Sequence, residues 1–170
     1  TLFPYTTLFR STAIGISARA RGDGALALGT QTKATSTRST AIGHQAEASG
    51  ADSISIGTLS GASNTHSIAI GEKARAYGID AIALGASANA TQTNSMAIGR
   101  NARSTAAGSV AVGINTEVTQ VNSVAMGATA KAYGDSAVSL GVDVVSRGHS
   151  AVAVGANADA LAQSAISIGD

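Results

Sequence analysis

The stretch Ser67-Ile68-Ala69-Ile70-Gly71 decides how the whole chain is read. Small and aliphatic residues alternate in it, and a glycine closes the run. Alternation with a period of two belongs to a strand and not to a helix, and β-branched Ile suits a pleated surface. The pattern returns as Ser109-Val110-Ala111-Val112-Gly113 and Ala151-Val152-Ala153-Val154-Gly155. Its closing glycine recurs every fourteen residues without a slip, at Gly15, Gly29, Gly43, Gly57, Gly71, Gly85, Gly99, Gly113, Gly127, Gly141, Gly155 and Gly169. Twelve in-phase copies make this a repeat protein, whose length counts stacked units and not the radius of a globule.

Counted from each repeat glycine (G), positions G−3 and G−1 are Ile, Leu, Val or Met in 22 of 24 instances, Thr12 and Thr40 being the exceptions. Positions G−4 and G−2 are Ala or Ser in every repeat. A second, weaker alternation follows the glycine: Ala46 and Ala48, Ala74 and Ala76, Ala88 and Ala90, with Glu47, Arg75 and Asn89 between them. That strand has one face toward water. Gly22, Gly50, Gly78, Gly134 and Gly148 stand seven residues after a repeat glycine and mark a second corner. Two short strands and two turns in fourteen residues predict an all-β fold, a parallel β-solenoid (β-roll) of about twelve coils. Each strand pairs with its counterpart one coil on. At about 4.8 Å per coil the rod is roughly 55 Å long.

The repeat glycine is expected to take a positive φ, or to sit where another backbone comes close. The first strand is apolar on one face and small on the other, so one face packs on the second strand of its own coil and the other calls for a partner. Alternation alone leaves open which is which.

Composition narrows the function classes. Aromatics are 3% of residues and three of the five, Phe3, Tyr5 and Phe9, precede the repeats, which therefore have no large side chains to fill a wide core. Cysteine is absent, which excludes disulfides and thiolate metal sites. With eleven Lys and Arg against ten Asp and Glu scattered along the chain, no long-range field favours nucleic acid or an acidic membrane surface. No run of about eighteen apolar residues could cross a membrane as a helix. Residues 1–10 share nothing with the repeat and read as a foreign or mis-assembled leader ahead of a repeat domain at 11–170.

Asn94-Ser95-Met96-Ala97-Ile98-Gly99 and Asn122-Ser123-Val124-Ala125-Met126-Gly127, with looser copies at the other ten glycines, resemble the head repeat of YadA-like trimeric autotransporter adhesins. The resemblance runs from Ser11 to Asp170. It implies a left-handed parallel β-roll, three of which pack side by side as a homotrimer. It further implies a cell-surface module projecting from the outer membrane of a Gram-negative bacterium, an isolated head or a piece of one. Such a head attaches to host extracellular matrix such as collagen, to host cells or to other bacteria. The collagen-linked family motif adds a His after the glycine. Here His44 is the one His in that place, and Asn stands five residues before the glycine only at Asn94 and Asn122.

Stacking turns equivalent positions into columns. The G+9 column reads Arg38, Asp52, His66, Asp80, Asn94, and an Asp-His-Asp neighbourhood has the residue types of a metal site or proton relay. An alternating-charge surface ladder explains it more simply. The G+4 column Arg103, Glu117, Lys131 reads as solvated charge on the outer strand, with a ligand patch as the alternative. Tyr77 and Tyr133, each just before the second corner, are candidate ligand contacts, as are His44, Asn94 and Asn122. No phosphate loop, dinucleotide fingerprint, nucleophile elbow, zinc spacing or calcium-binding nonapeptide occurs, so neither an enzyme nor a cofactor is expected. The competing readings are an ice-binding solenoid, which needs flat Thr columns, and a rigid phage or surface fibre spacer.

Overall fold

The computed structural model describes residues 10–169 as two parallel sheets wound along one rod. The leader reading of residues 1–10 lies outside the described residues, Arg10 excepted. A twelve-stranded sheet runs from Thr12–Ile14 to Ile166–Ile168, and an eleven-stranded sheet from Arg19–Ala20 to Asp159–Ala160. That makes eleven complete coils, one fewer than expected, because the last repeat contributes only its first strand. Every pairing is in register at a fourteen-residue offset, as where Ile68, Ala69 and Ile70 oppose Ile82, Ala83 and Leu84. The ladder continues round the corners: the Gly85 N–H donates to the Ile70 carbonyl at 2.8 Å, and the Ser87 N–H to Glu72 at 2.8 Å.

The two faces of the first strand now separate. The small residues at G−4 and G−2 point inward, and Ala69, Ala83, Ala97 and Ala111 are all fully buried. The second strand sends its own small residues to meet them, such as Ala74, Ala76, Ala88 and Ala90. The interior is too thin for anything larger than Val118 or Val144, the two bulkiest fully buried side chains among the described residues. The aliphatic residues at G−3 and G−1 face outward, and a single coil does not bury them in its own core. Burying these large side chains therefore falls to neighbouring rungs and to whatever covers the face.

Buried serines are tied to backbone, as buried hydroxyls must be. At G−4, Ser39, Ser53, Ser67, Ser95 and Ser109 each donate to the carbonyl three residues back, at 2.6 or 2.7 Å, which fastens the second corner. Where two serines face each other across the interior they share a bond, as Ser55 with Ser60 at 2.7 Å.

Both corners need left-handed backbone, and glycine supplies only part of it. Eleven of the twelve repeat glycines have φ between +108° and +143°. At Gly85 a Cβ would also lie 2.7 Å from the carbonyl group of Gly99 one coil on, so space and φ both forbid a side chain. Gly50, at the second corner, is held by space alone: its Cβ would lie 2.0 Å from the Asn64 carbonyl oxygen. The left-handed residue of that corner comes two places later, at G+9, with φ +56° at Asp52 and +57° at His66. A matching residue at G+2 turns the first corner, as Lys73 and Asn101 do at +56° and +57°. Sequence analysis placed the second turn at G+7 and did not find these two columns.

Gly85→Ala is expected to lower the urea midpoint by more than Ala88→Gly, which removes one buried methyl at a cost of about 1 kcal/mol. Ala97→Leu, which overfills the interior, is expected to cost about 3 kcal/mol. Equal midpoints for Ala97→Leu and an outward Ile98→Leu control would contradict the assignment of faces.

Candidate functional site

The described rod presents three chemically distinct surfaces. The outer face of the first sheet is formed by 24 side chains at G−3 and G−1, none of them charged. Most are half-buried against the rungs above and below, while Leu28, Leu84 and Met126 remain 40% exposed or more. The result is an apolar stripe along the rod, interrupted at Thr12 and Thr40.

The second corner is polar and mostly acidic, carrying Asp23, Asp52, Asp80 and Asp135 against Arg38. Its Asp-His-Asp neighbourhood resolves into two separate pairs. Arg38 binds Asp52 through Nε at 2.5 Å and Nη2 at 2.7 Å, and His66 Nδ1 lies 3.0 Å from Asp80 Oδ1. The Arg38 hydrogen bond holds the Asp52 carboxyl below its usual range, and Asp52 in turn raises the guanidinium. Among the described residues no group of three His, Cys, Asp or Glu is placed to hold a metal ion.

The outer face of the second sheet consists of the G+2, G+4 and G+6 columns. Eight of the chain's eleven Lys and Arg lie there: Arg19, Arg21, Lys33, Lys73, Arg75, Arg103, Lys131 and Arg147. Only four of the ten acids do, Glu47, Glu117, Asp143 and Asp159. The near-neutral sequence thus hides a sorting by face, and charge read as scattered along the chain is gathered on one side of the rod.

Glu117 forms an ion pair with Arg103 Nη1 at 3.1 Å, its neighbour in the column read from sequence, and accepts from the Tyr133 hydroxyl at 2.7 Å. Burial first, and then the bond to Glu117, push the Tyr133 hydroxyl up to about 12. Tyr77 reaches back over the preceding rung in the same manner, its ring covering Gly61. Shallow grooves run between the G+2 and G+4 columns. One of about 460 Å³ is lined by Arg19, Gln31, Lys33, Gln45, Glu47 and Leu59, with Ser17 at its end. Another of about 260 Å³ is lined by Lys73, Arg75, Ser87, Asn89, Asn101 and Arg103.

Six consecutive matches to the family model described as YadA head domain repeat (2 copies) cover residues 9–32, 34–60, 62–88, 90–116, 119–143 and 146–170. The chain belongs to the YadA head-repeat family. Each match spans about two of the fourteen-residue coils, in keeping with the observed register. Among curated proteins, none matches the chain.

Within this YadA-type head the sequence candidates do not converge. His44 sits at the first corner, Asn94 and Asn122 at the second, and Tyr77 and Tyr133 on the outer face of the second sheet. Asn94 and Asn122 have φ of +57° and +55°, a conformation short polar side chains tolerate best, which explains their position without a ligand. Sequence reasoning named Arg75, Asn89 and Arg103 as outward-facing residues but did not bring them together with Lys73 as one groove. Writing the chain out by columns at G+2 and G+4 would have shown their proximity.

Tyr133 has a folded-state value above the unfolded value of about 10, so its contribution to stability is present below about pH 10 and is lost as pH rises toward 12. Glu117→Gln is expected to lower the Tyr133 midpoint, read from phenolate absorbance. An unchanged Tyr133 midpoint would break the assignment to Glu117.

Proposed function

We propose that this chain is the head of a trimeric surface adhesin, non-catalytic, projecting from the outer membrane of a Gram-negative bacterium. Three copies pack side by side through the first sheet. The observation that carries this is the apolar stripe, roughly 55 Å long at about 4.8 Å per rung, on a chain whose own interior is already filled by Ala and Ser. A face of that length with no charge in any of its rungs would be a liability on a free monomer. Membership of the head family points to the same assembly and to attachment as its role.

Two surfaces stay outside that packing, the second corner and the outer face of the second sheet, and these present repeated contacts to host matrix proteins such as collagen, to host cells or to other bacteria. Three copies raise the affinity of each weak contact. Of the candidate contacts Tyr77, 41% exposed, offers the most accessible aromatic ring. The ice-binding alternative finds only a three-rung Thr column, Thr91, Thr105 and Thr119, closed at its two ends by Tyr77 and Tyr133.

Sedimentation equilibrium of the chain is expected to give the mass of three copies, and Ile70→Asp with Ile98→Asp to reduce it to one. A folded single chain at the concentrations used for matrix-binding assays would overturn the trimeric reading.

A further inference from the structure

The groove bounded by Lys73, Arg75 and Arg103 has three properties that together point to a ligand. First, it is basic. Arg75 and Arg103 flank Asn89 in register on the second sheet, two rungs apart, with Lys73 beside them in the G+2 column. Lys73 is partly offset by Glu72 at 3.1 Å and Arg103 by Glu117, but Arg75 has no acidic partner among the described residues. Second, between the cations the groove is lined by hydroxyl and amide groups, Ser87, Asn89 and Asn101. Third, the Oδ1 atom of Asn89 is buried at the centre of this lining with no hydrogen-bond partner. A buried acceptor left unpaired carries a desolvation cost, and a donor brought by a ligand removes it.

We infer that this groove binds a linear anionic polysaccharide laid along the rod axis. Its sulfate or carboxylate groups pair with Arg75, Arg103 and Lys73, and a sugar hydroxyl donates to Asn89 Oδ1. The two arginines lie about 10 Å apart, two rungs, so an extended chain meets both along the groove. Tyr77, two residues after Arg75, lays its ring back over Gly61 on the preceding rung and lines a separate, smaller groove.

Competing polyanions fit less well. A single-stranded nucleic acid is gripped through a series of stacking platforms, and this face has only Tyr77 and Tyr133 among the described residues, the second with its hydroxyl held by Glu117. A lipid headgroup would bring acyl chains to a groove lined by charge, hydroxyl and amide. The larger groove on the same face is a weaker candidate, because Lys33 is paired with Glu47 at 3.4 Å and Gln45 with Gln31 at 2.6 Å.

This gives a ligand class to the adhesive head proposed above and rests on that reading for its role. The groove is formed by one chain, so its binding can be measured whatever mass sedimentation returns, and the two readings fail separately. The experiment is calorimetric titration of the whole chain with a heparin-derived octasaccharide at low ionic strength. A dextran oligosaccharide of equal length and a single-stranded DNA of equal charge serve as comparisons.

The octasaccharide is expected to bind, dextran not to, and DNA to bind at least about tenfold more weakly. Arg75→Gln with Arg103→Gln is expected to weaken octasaccharide binding at least about tenfold, a loss of about 1.4 kcal/mol. Asn89→Ala is expected to weaken it several-fold. Arg38→Gln, which removes one positive charge from the second corner, is expected to leave it unchanged. No binding, equal binding of DNA, or equal loss with Arg38→Gln would each overturn the proposal. Unfolding midpoints of the variants within a degree or two of the parent keep a loss of binding from being read as a loss of fold.

Discussion

The distance between the two sheets is the constraint from which the other features follow. Fourteen residues make two strands of three and two residues with a tight corner at each end, which brings the sheets so close that Ala and Ser fill the space between them. Large aliphatic side chains have no room inside and must face outward. Polar groups that do enter are hydroxyls small enough to bond the nearest backbone carbonyl. Glycine at each first corner follows from the same closeness, because successive corners stack carbonyl on α-carbon. An ordinary globule stabilises itself with a thick apolar centre. This chain instead has a thin centre held by ladders of backbone hydrogen bonds and an apolar exterior that its own rungs cover only in part.

Much of this was legible in the residues. Period, parallel in-register pairing and the corner glycines all follow from columns that repeat without slip, since each is a consequence of translation by one coil. The inward face of the first strand was not legible, because Ser67-Ile68-Ala69-Ile70-Gly71 alternates equally well in either orientation. The usual rule that aliphatic residues go inside points the wrong way here, and only the width of the interior decides the matter. The left-handed columns at G+2 and G+9 were hidden for a different reason. Their occupants range from Asn and Asp to Lys, Leu and Arg, so register with the coil above enforces the conformation more than local preference does.

The candidate site was less legible than the fold. His44, Asn94 and Asn122 were picked out by their place in a family motif, and the corners account for both asparagines through backbone geometry. The groove residues carry no motif at all. Lys73, Arg75, Asn89 and Arg103 are spread over about thirty positions of sequence, and only winding the chain brings them onto three adjacent rungs. Net charge misled in the same way: a total of +1 describes the chain, whereas eight of the eleven cations lie on one face.

Exact fourteen-residue registration also has a genetic consequence. Removing or duplicating one whole coil leaves every remaining rung opposite a rung of the same pattern, with the apolar stripe, the filled interior and both corners intact. Such a rod can therefore be lengthened or shortened by recombination between its own repeats, in steps of about 4.8 Å, without relearning how to fold. Reach from the cell becomes a heritable quantity that varies in increments, separately from the chemistry carried on any one rung.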